Sequence, residues 1–190
     1  DEKDARGLIG QFGVGFYSGF MVATKVDVLT RKAGENEAWL WSSDGKGSFT
    51  IEAAQRDTSG TMVTLHLKKD AKEFAEEARI RHIIKTYSEH ISFPVKLGDE
   101  TLNAAEALWT RPSKDITEEQ YTEFYHHSSH AFDAPWHVMH NKVEGALNHT
   151  SLLFVPTIQP FDLFDAERKS HVKLYVNRVF ISETTKDLLP

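Results

Sequence analysis

The chain has 190 residues, 40% of them apolar, which is enough to bury a core and too many for a disordered chain. A formal net charge of −6 gives no general attraction to nucleic acid or an anionic membrane, so neither is expected as a partner. The absence of cysteine excludes disulfides, thiolate metal sites and a cysteine nucleophile, and suits a cytoplasmic location.

No apolar run approaches the roughly 20 residues of a membrane-spanning helix. The chain opens at Asp1 without methionine, and "DEKDARG" lacks the basic-then-apolar order of a signal peptide. Both ends read as cut from something longer. "LIGQFGVGFYSGF" (Leu8 to Phe20) brings Gly10, Gly13 and Gly15 into a single turn's length. The apolar spacing that follows, Phe16, Phe20, Met21 and Val22, predicts a short, mostly buried helix over Gly15 to Ala23.

The period then changes to two. "KVDVLTR", "EAWLWSS", "SFTIEAA" and "GTMVTLHLK" alternate as strands, with Asp44-Gly45 as a hairpin signal, and predict an antiparallel meander with one buried face. Asp70 and Glu73 have capping-box spacing, and an apolar stripe from Phe74 to Ile91 predicts a helix of about five turns. Its charged face offers Glu76–Arg79 and Glu77–Arg81 as solvated pairs, and Pro94 ends it. "FPVKLGDETL" reads as a strand, a Gly-Asp turn and a short continuation. A composition shift between Gly98 and Trp109 marks a boundary, giving expected domains of residues 1–103 and 104–190. Beyond it Thr117 and Gln120 suit a capped helix start, with Tyr121, Phe124, Tyr125 and Phe132 as its apolar face. Strands follow in "WHVMH", "LNHTSLLFVP" and "HVKLYVNRVFIS", the last broken at Asn177-Arg178, with a loop of apolar middle, "TIQPFDLFDAERKS", before it.

Glycines at the mouth of a helix let backbone amides approach an anion closely, where the helix end adds favourable partial charge. The spacing here is G-x-x-G-x-G. It is neither the dinucleotide fingerprint G-x-G-x-x-G after a strand nor a Walker A loop, which needs Gly-Lys-Ser/Thr. Glycine pattern alone leaves a phosphate cradle and a flexible hinge both open.

"LIGQFGVGFYSGFMVA" resembles the end of the ATP lid of the Hsp90 chaperone family. The likeness continues in order through "GTMVTLHLK", "ARIRHIIKTYSEHISFPV", "ALWTR", "PFDLFD" and "VKLYVNRVFI", and is nearest to the bacterial branch. It implies an α+β fold: part of a GHKL-type (Bergerat) α/β sandwich, then part of an α/β middle domain. In this family and its relatives (gyrase B, histidine kinases, MutL) the G-x-x-G-x-G segment closes over the triphosphate of ATP. That role would fall to Gly10, Gly13 and Gly15, with the amides of Val14, Gly15 and Phe16 as donors and Gln11 on the same turn. The Gly-Thr pair near the adenine matches Gly60-Thr61, although a strand-opening threonine explains Thr61 as well. The family's adenine-binding Asp, magnesium-binding Asn and general-base Glu precede the lid, and its middle-domain Arg follows "LLP". The 190 residues alone are therefore expected not to hydrolyse ATP, and half a nucleotide domain is expected to be marginally stable. The whole protein is expected to use ATP and Mg2+, bind unfolded client proteins, and form a homodimer through a C-terminal domain outside this sequence.

Phe161, Leu163 and Phe164 in "PFDLF" correspond, by the resemblance, to a middle-domain segment the family associates with contacting client proteins or with reaching toward the γ-phosphate side. They read either as an exposed contact patch or as residues pinning the loop to a sheet. The histidines of "HHSSH" (His126, His127, His130), with His137 and His140, have zinc-compatible spacings, but no carboxylate or cysteine completes the set except distantly Asp133, and surface or structural roles are expected. Two further functions stand beside the ATP-driven chaperone: another ATPase of the same superfamily, and a nucleotide-independent module that binds unfolded chains.

Overall fold

The computed structural model describes residues 9–10, 13–161, 163–164 and 172–183. It is a mixed α/β chain with antiparallel sheets, compatible with the α+β expectation. Two compact units, Asp1–Ile83 and Ile84–Pro190, divide within a helix. The composition shift between Gly98 and Trp109 lies inside the second.

In the first unit four strands form one antiparallel sheet in the order β3-β2-β1-β4: β1 (Ala23–Arg31), β2 (Ala38–Ser43), β3 (Phe49–Ala54) and β4 (Gly60–Leu67). Alternation and register put Val28, Trp41 and Val63 side by side, with Val26 opposite Leu65 and Trp41 opposite Ile51. The predicted Asp44-Gly45 turn forms: Gly45 has φ 76° and the Lys46 amide donates to Asp44 Oδ1 at 3.0 Å. The apolar face is only partly covered, however. Val26, Ala23 and Ala38 are buried, whereas Phe49, Ile51 and Val63 are more than half or half exposed at 61%, 57% and 50%. Among the described residues of this unit, no second layer covers the outer strands.

The helix expected over Gly15 to Ala23 is instead a 3-10 turn, Val14–Ser18, running into one α-turn, α1 (Gly19–Val22). It has no buried residue, and Tyr17 and Met21 face solvent. The expected five-turn helix is also broken. A 3-10 segment, Lys69–Ala75, starts with no side-chain cap, so the Asp70 box is not made, and Glu76 is extended (φ −79°, ψ 129°) before α2 (Glu77–Tyr87). The break redirects the pairing: Arg79 lies 3.0 Å from Glu73 rather than pairing with Glu76, and its guanidinium sits over the Phe74 ring.

In the second unit a two-residue turn at Gly98-Asp99 joins β5 (Lys96–Leu97) to β6 (Glu100–Thr101). Buried Asn103 ties this hairpin to the end of α2, accepting from the Val95 amide at 2.8 Å and donating to the Phe93 and Ser88 carbonyls. Helix α3 (Glu118–Ser129) has the predicted capping box, with Thr117 and Gln120 exchanging side-chain-to-backbone hydrogen bonds. Phe132 does not join its apolar face. The helix stops at Ser129, His130 turns left-handed (φ 57°), and Phe132 is fully exposed. Hairpins β7 (Pro135–Val143) with β8 (His149–Pro156), and β9 (Leu174–Val176) with β10 (Val179–Ser182), follow. The Asn177-Arg178 break forms a left-handed turn between the last two.

The core of this unit is aromatic. The His90 ring meets Trp109 edge-on at 4.7 Å and lies 5.5 Å from Tyr175, and Phe124 stacks on Phe154. Burial pushes the His90 pKa down, so the neutral ring donates Nδ1–H to the Glu106 carbonyl at 2.9 Å. Replacing Asn103 with Ala orphans buried backbone groups and is expected to lower unfolding free energy by about 2–4 kcal/mol. The exposed cap variant Thr117→Ala should cost about 1 kcal/mol. Urea unfolding of both variants checks the order, and equal losses would contradict it.

On the polar face of the first sheet, Asp27 accepts from the Ser42 hydroxyl (2.5 Å) and Lys25 (2.9 Å) and lies 2.6 Å from His66 Nε2. These bonds, Ser42's foremost, hold its carboxyl well below the usual carboxylate range. A depressed pKa stabilises the fold above the carboxylate's ordinary value of about 4, and that contribution drains away as pH falls toward the depressed value. Urea midpoints measured from pH 6 to pH 2 should therefore fall less steeply in Asp27→Asn than in the parent. Parallel slopes would show that the cluster contributes nothing.

Candidate functional site

Gly10 and Gly13 both adopt left-handed backbone, with φ of 79° and 64°, and the Gly13 amide donates to the Gly10 carbonyl at 3.0 Å. Only glycine takes such angles without strain, so the turn has a physical reason for its spacing. Gly13 caps the 3-10 turn with no side chain, leaving the amides at its head, Val14 and Gly15, without an acceptor earlier in the helix. Phe16 follows on the same turn. A Cβ placed at Gly10, Gly13 or Gly15 would meet nothing within 4 Å, so this face is open. Gln11, expected on the same turn, lies outside the described residues.

Aromatic contacts seat this segment. Phe16 meets Trp41 edge-on at 5.6 Å and Phe20 at 6.4 Å, and Trp41 stacks on Phe49. The Ser18 hydroxyl donates to the Gly15 carbonyl at 2.6 Å, tying the turn to the helix behind it. Thr61 is placed elsewhere on the sheet. It stands opposite Thr30 on the β1–β4 ladder, hydroxyl to hydroxyl at 2.9 Å, seven residues and so about 23 Å of strand from Ala23. Gly10, Gly13, Val14, Gly15 and Phe16 are thus contiguous, and Thr61 stands apart at the end of the ladder.

In the second unit Phe161 is fully exposed, Phe164 nearly so and Leu163 partly, around a turn closed by the Leu163 amide and the Pro160 carbonyl. Asp162 lies outside the described residues. The loop leaves β8 through a clasp that composition does not reveal. Asp133 Oδ2 accepts from the Thr157 and Ile158 amides at 2.8 and 3.0 Å, and the Tyr125 hydroxyl donates to Oδ1. The amide bonds, Ile158's foremost, hold the Asp133 pKa below its ordinary value.

The histidines serve packing. His126 Nε2–H donates to the Asp133 carbonyl, and His140 donates Nε2–H to the Trp109 carbonyl while accepting the Tyr121 hydroxyl at Nδ1. Among the described residues no group of three or more His, Asp or Glu could hold a metal.

Residues 97–190 match the family model described as Hsp90 protein. The whole chain is 75% identical to Chaperone protein HtpG of Roseobacter denitrificans, covering 31% of that protein. The chain belongs to the Hsp90 family. It is also 59% identical to Chaperone protein HtpG of Rhodospirillum rubrum over 96% of its length, and 53% identical to that of Paramagnetospirillum magneticum over all of it, covering 30% and 31% of those proteins. The chain thus spans about a third of the length of the curated relatives it matches.

Within this Hsp90-family chain, sequence reasoning met Asp133 only as a distant ligand candidate and missed its clasp on the loop, because an isolated acidic residue before Ala-Pro carries no pattern. Its only signal is the exposed apolar loop it turns out to clasp. Asp133→Ala should speed hydrogen exchange at the Thr157 and Ile158 amides by at least tenfold, while Asp133→Asn, which keeps an acceptor oxygen, should change it much less. Equal exchange in all three proteins would show that the carboxylate does not hold the loop.

Proposed function

We propose that these residues are the part of an ATP-dependent molecular chaperone in which a nucleotide-binding domain gives way to a client-binding middle domain. Residues 1–103 would be the C-terminal half of the first and 104–190 a linker and the start of the second. The Gly10–Phe16 turn cradles the triphosphate, with Val14, Gly15 and Phe16 as amide donors, Gln11 beside them, and Thr61 toward the adenine. Phe161, Leu163 and Phe164 contact unfolded client proteins. ATP favours a closed arrangement because it binds that arrangement better, which shifts the population toward it.

The observation that carries this reading is solvent exposure of Phe161 and Phe164 in an anchored loop, because apolar side chains presented this way on a folded unit mark interaction surfaces. The open left-handed glycine turn supports the nucleotide half. In the whole protein Mg2+ would neutralise phosphate charge from ligands outside this chain, and a homodimer, cytoplasmic and engaging neither nucleic acid nor membrane, is the expected assembly. The partly bare sheet face carrying Phe49 and Ile51 would be covered by other segments of the full-length protein.

Phosphoryl transfer needs a placed nucleophile and neutralised charge, which glycine amides do not supply. The 190-residue chain should therefore show no ATP turnover and at best millimolar affinity by calorimetry, and micromolar binding would contradict this. In a full-length Hsp90-family protein carrying these residues, replacing Phe161 and Phe164 with Ser should weaken binding of a permanently unfolded, reduced and alkylated protein at least fivefold. Unchanged affinity would remove the loop from the client surface.

A further inference from the structure

We infer that Lys68 is a positioning residue for the phosphate-binding amides, an inference that rests on the reading of the Gly10–Phe16 turn given above. The amides of Val14, Gly15 and Phe16 sit at the head of a short helical segment whose tail is the single α-turn Gly19–Val22. A segment so short does not hold its own shape, because helix nucleation is unfavourable and its last carbonyls have no intrahelical donors. Lys68 supplies those donors. Its ammonium donates to the Phe20 carbonyl at 3.1 Å and the Met21 carbonyl at 2.9 Å, and its backbone amide donates to the Val22 carbonyl at 2.8 Å. One residue from the end of β4 therefore closes three consecutive terminal carbonyls, and its positive charge lies at the end of the helix where a cation is favoured.

Close packing meets this clasp from the other side. A Cβ at Gly45 would lie 2.7 Å from the Phe20 ring, and one at Gly19 would lie 3.2 Å from Leu65. Val14, Tyr17 and Met21 are exposed, so the tail of the segment is fixed by these contacts and the lysine rather than by burial of its whole length. Amides that bind phosphate must be held where the anion will be, and a support left loose costs affinity. With its tail clasped, the segment presents its head amides in one arrangement. Removing the ammonium leaves the Phe20 and Met21 carbonyls to water and the segment free to shift.

The test uses a full-length Hsp90-family protein carrying these residues and compares Lys68→Met, Lys68→Arg and Gly13→Val in steady-state ATP hydrolysis. Lys68→Met should raise KM for ATP about three- to tenfold with kcat within twofold of the parent, the pattern of lost uniform binding. Lys68→Arg, which keeps the donors, should recover most of the loss. A merely structural lysine would instead lower the active fraction, and with it apparent kcat, at unchanged KM, and that result overturns the inference. Gly13→Val places a β-branched residue at a left-handed position and should raise KM on the phosphate reading alone. If Gly13→Val raises KM and Lys68→Met does not, Lys68 is not a positioning residue and the cradle stands. If neither raises KM, the cradle and the role of Lys68 both fall.

Discussion

Val26 is the one large side chain of the described residues that is wholly removed from solvent, and it lies in β1, one of the two inner strands of the first sheet. Because β1 follows Val22 without a linker, the position of the glycine segment is inherited from this strand. The β1–β2 and β1–β4 ladders fix which face Trp41 and Leu65 occupy. Those side chains in turn decide where Phe16 and Gly19 come to rest. A one-residue slip in either ladder would move these supports to the opposite face and dismantle the seat.

The second unit relies on a different device. Among the described residues its hairpins are two-stranded and unconnected as sheets, so a cluster of rings takes the place of a broad sheet core, with His90 at the centre kept neutral by burial. Polar side chains then tie loops that hydrophobic burial leaves loose. Asn103 fastens the β5–β6 hairpin, and Asp133 fastens the exit from β8. An exposed apolar loop on such a base combines a fixed position with free side chains, as a surface that meets many unfolded chains requires.

Alternation was enough to read β1 to β4 from the residues, because each carries its own period, and Asp44-Gly45, Gly98-Asp99 and Asn177-Arg178 are local signals that mark the hairpins. The Thr117–Gln120 box was legible for the same reason, since both partners lie within one turn. Helix Gly15–Ala23 and the long stripe from Phe74 were misread because periodicity reports an apolar face without reporting what covers it or where Glu76 turns extended. The glycine spacing was legible as a segment of unusual backbone freedom, and the left-handed angles at Gly10 and Gly13 came with the structure. Its supports were not, since Lys68 and Gly45 act across tens of residues and carry no local pattern. The exposure of Phe161 and Phe164 likewise required the fold, because the residues alone were equally consistent with packing.

The most direct test of the central claim is amide NMR of a full-length Hsp90-family protein carrying these residues, selectively labelled at glycine, valine and phenylalanine and titrated with ATP and magnesium. The largest shift changes among the described residues are expected at Gly13, Val14, Gly15 and Phe16, with Gly34 and Gly98, which lie in turns remote in sequence, nearly unmoved. Saturable ATP binding that leaves Gly13 to Phe16 unshifted would contradict the assignment of this turn as the phosphate cradle.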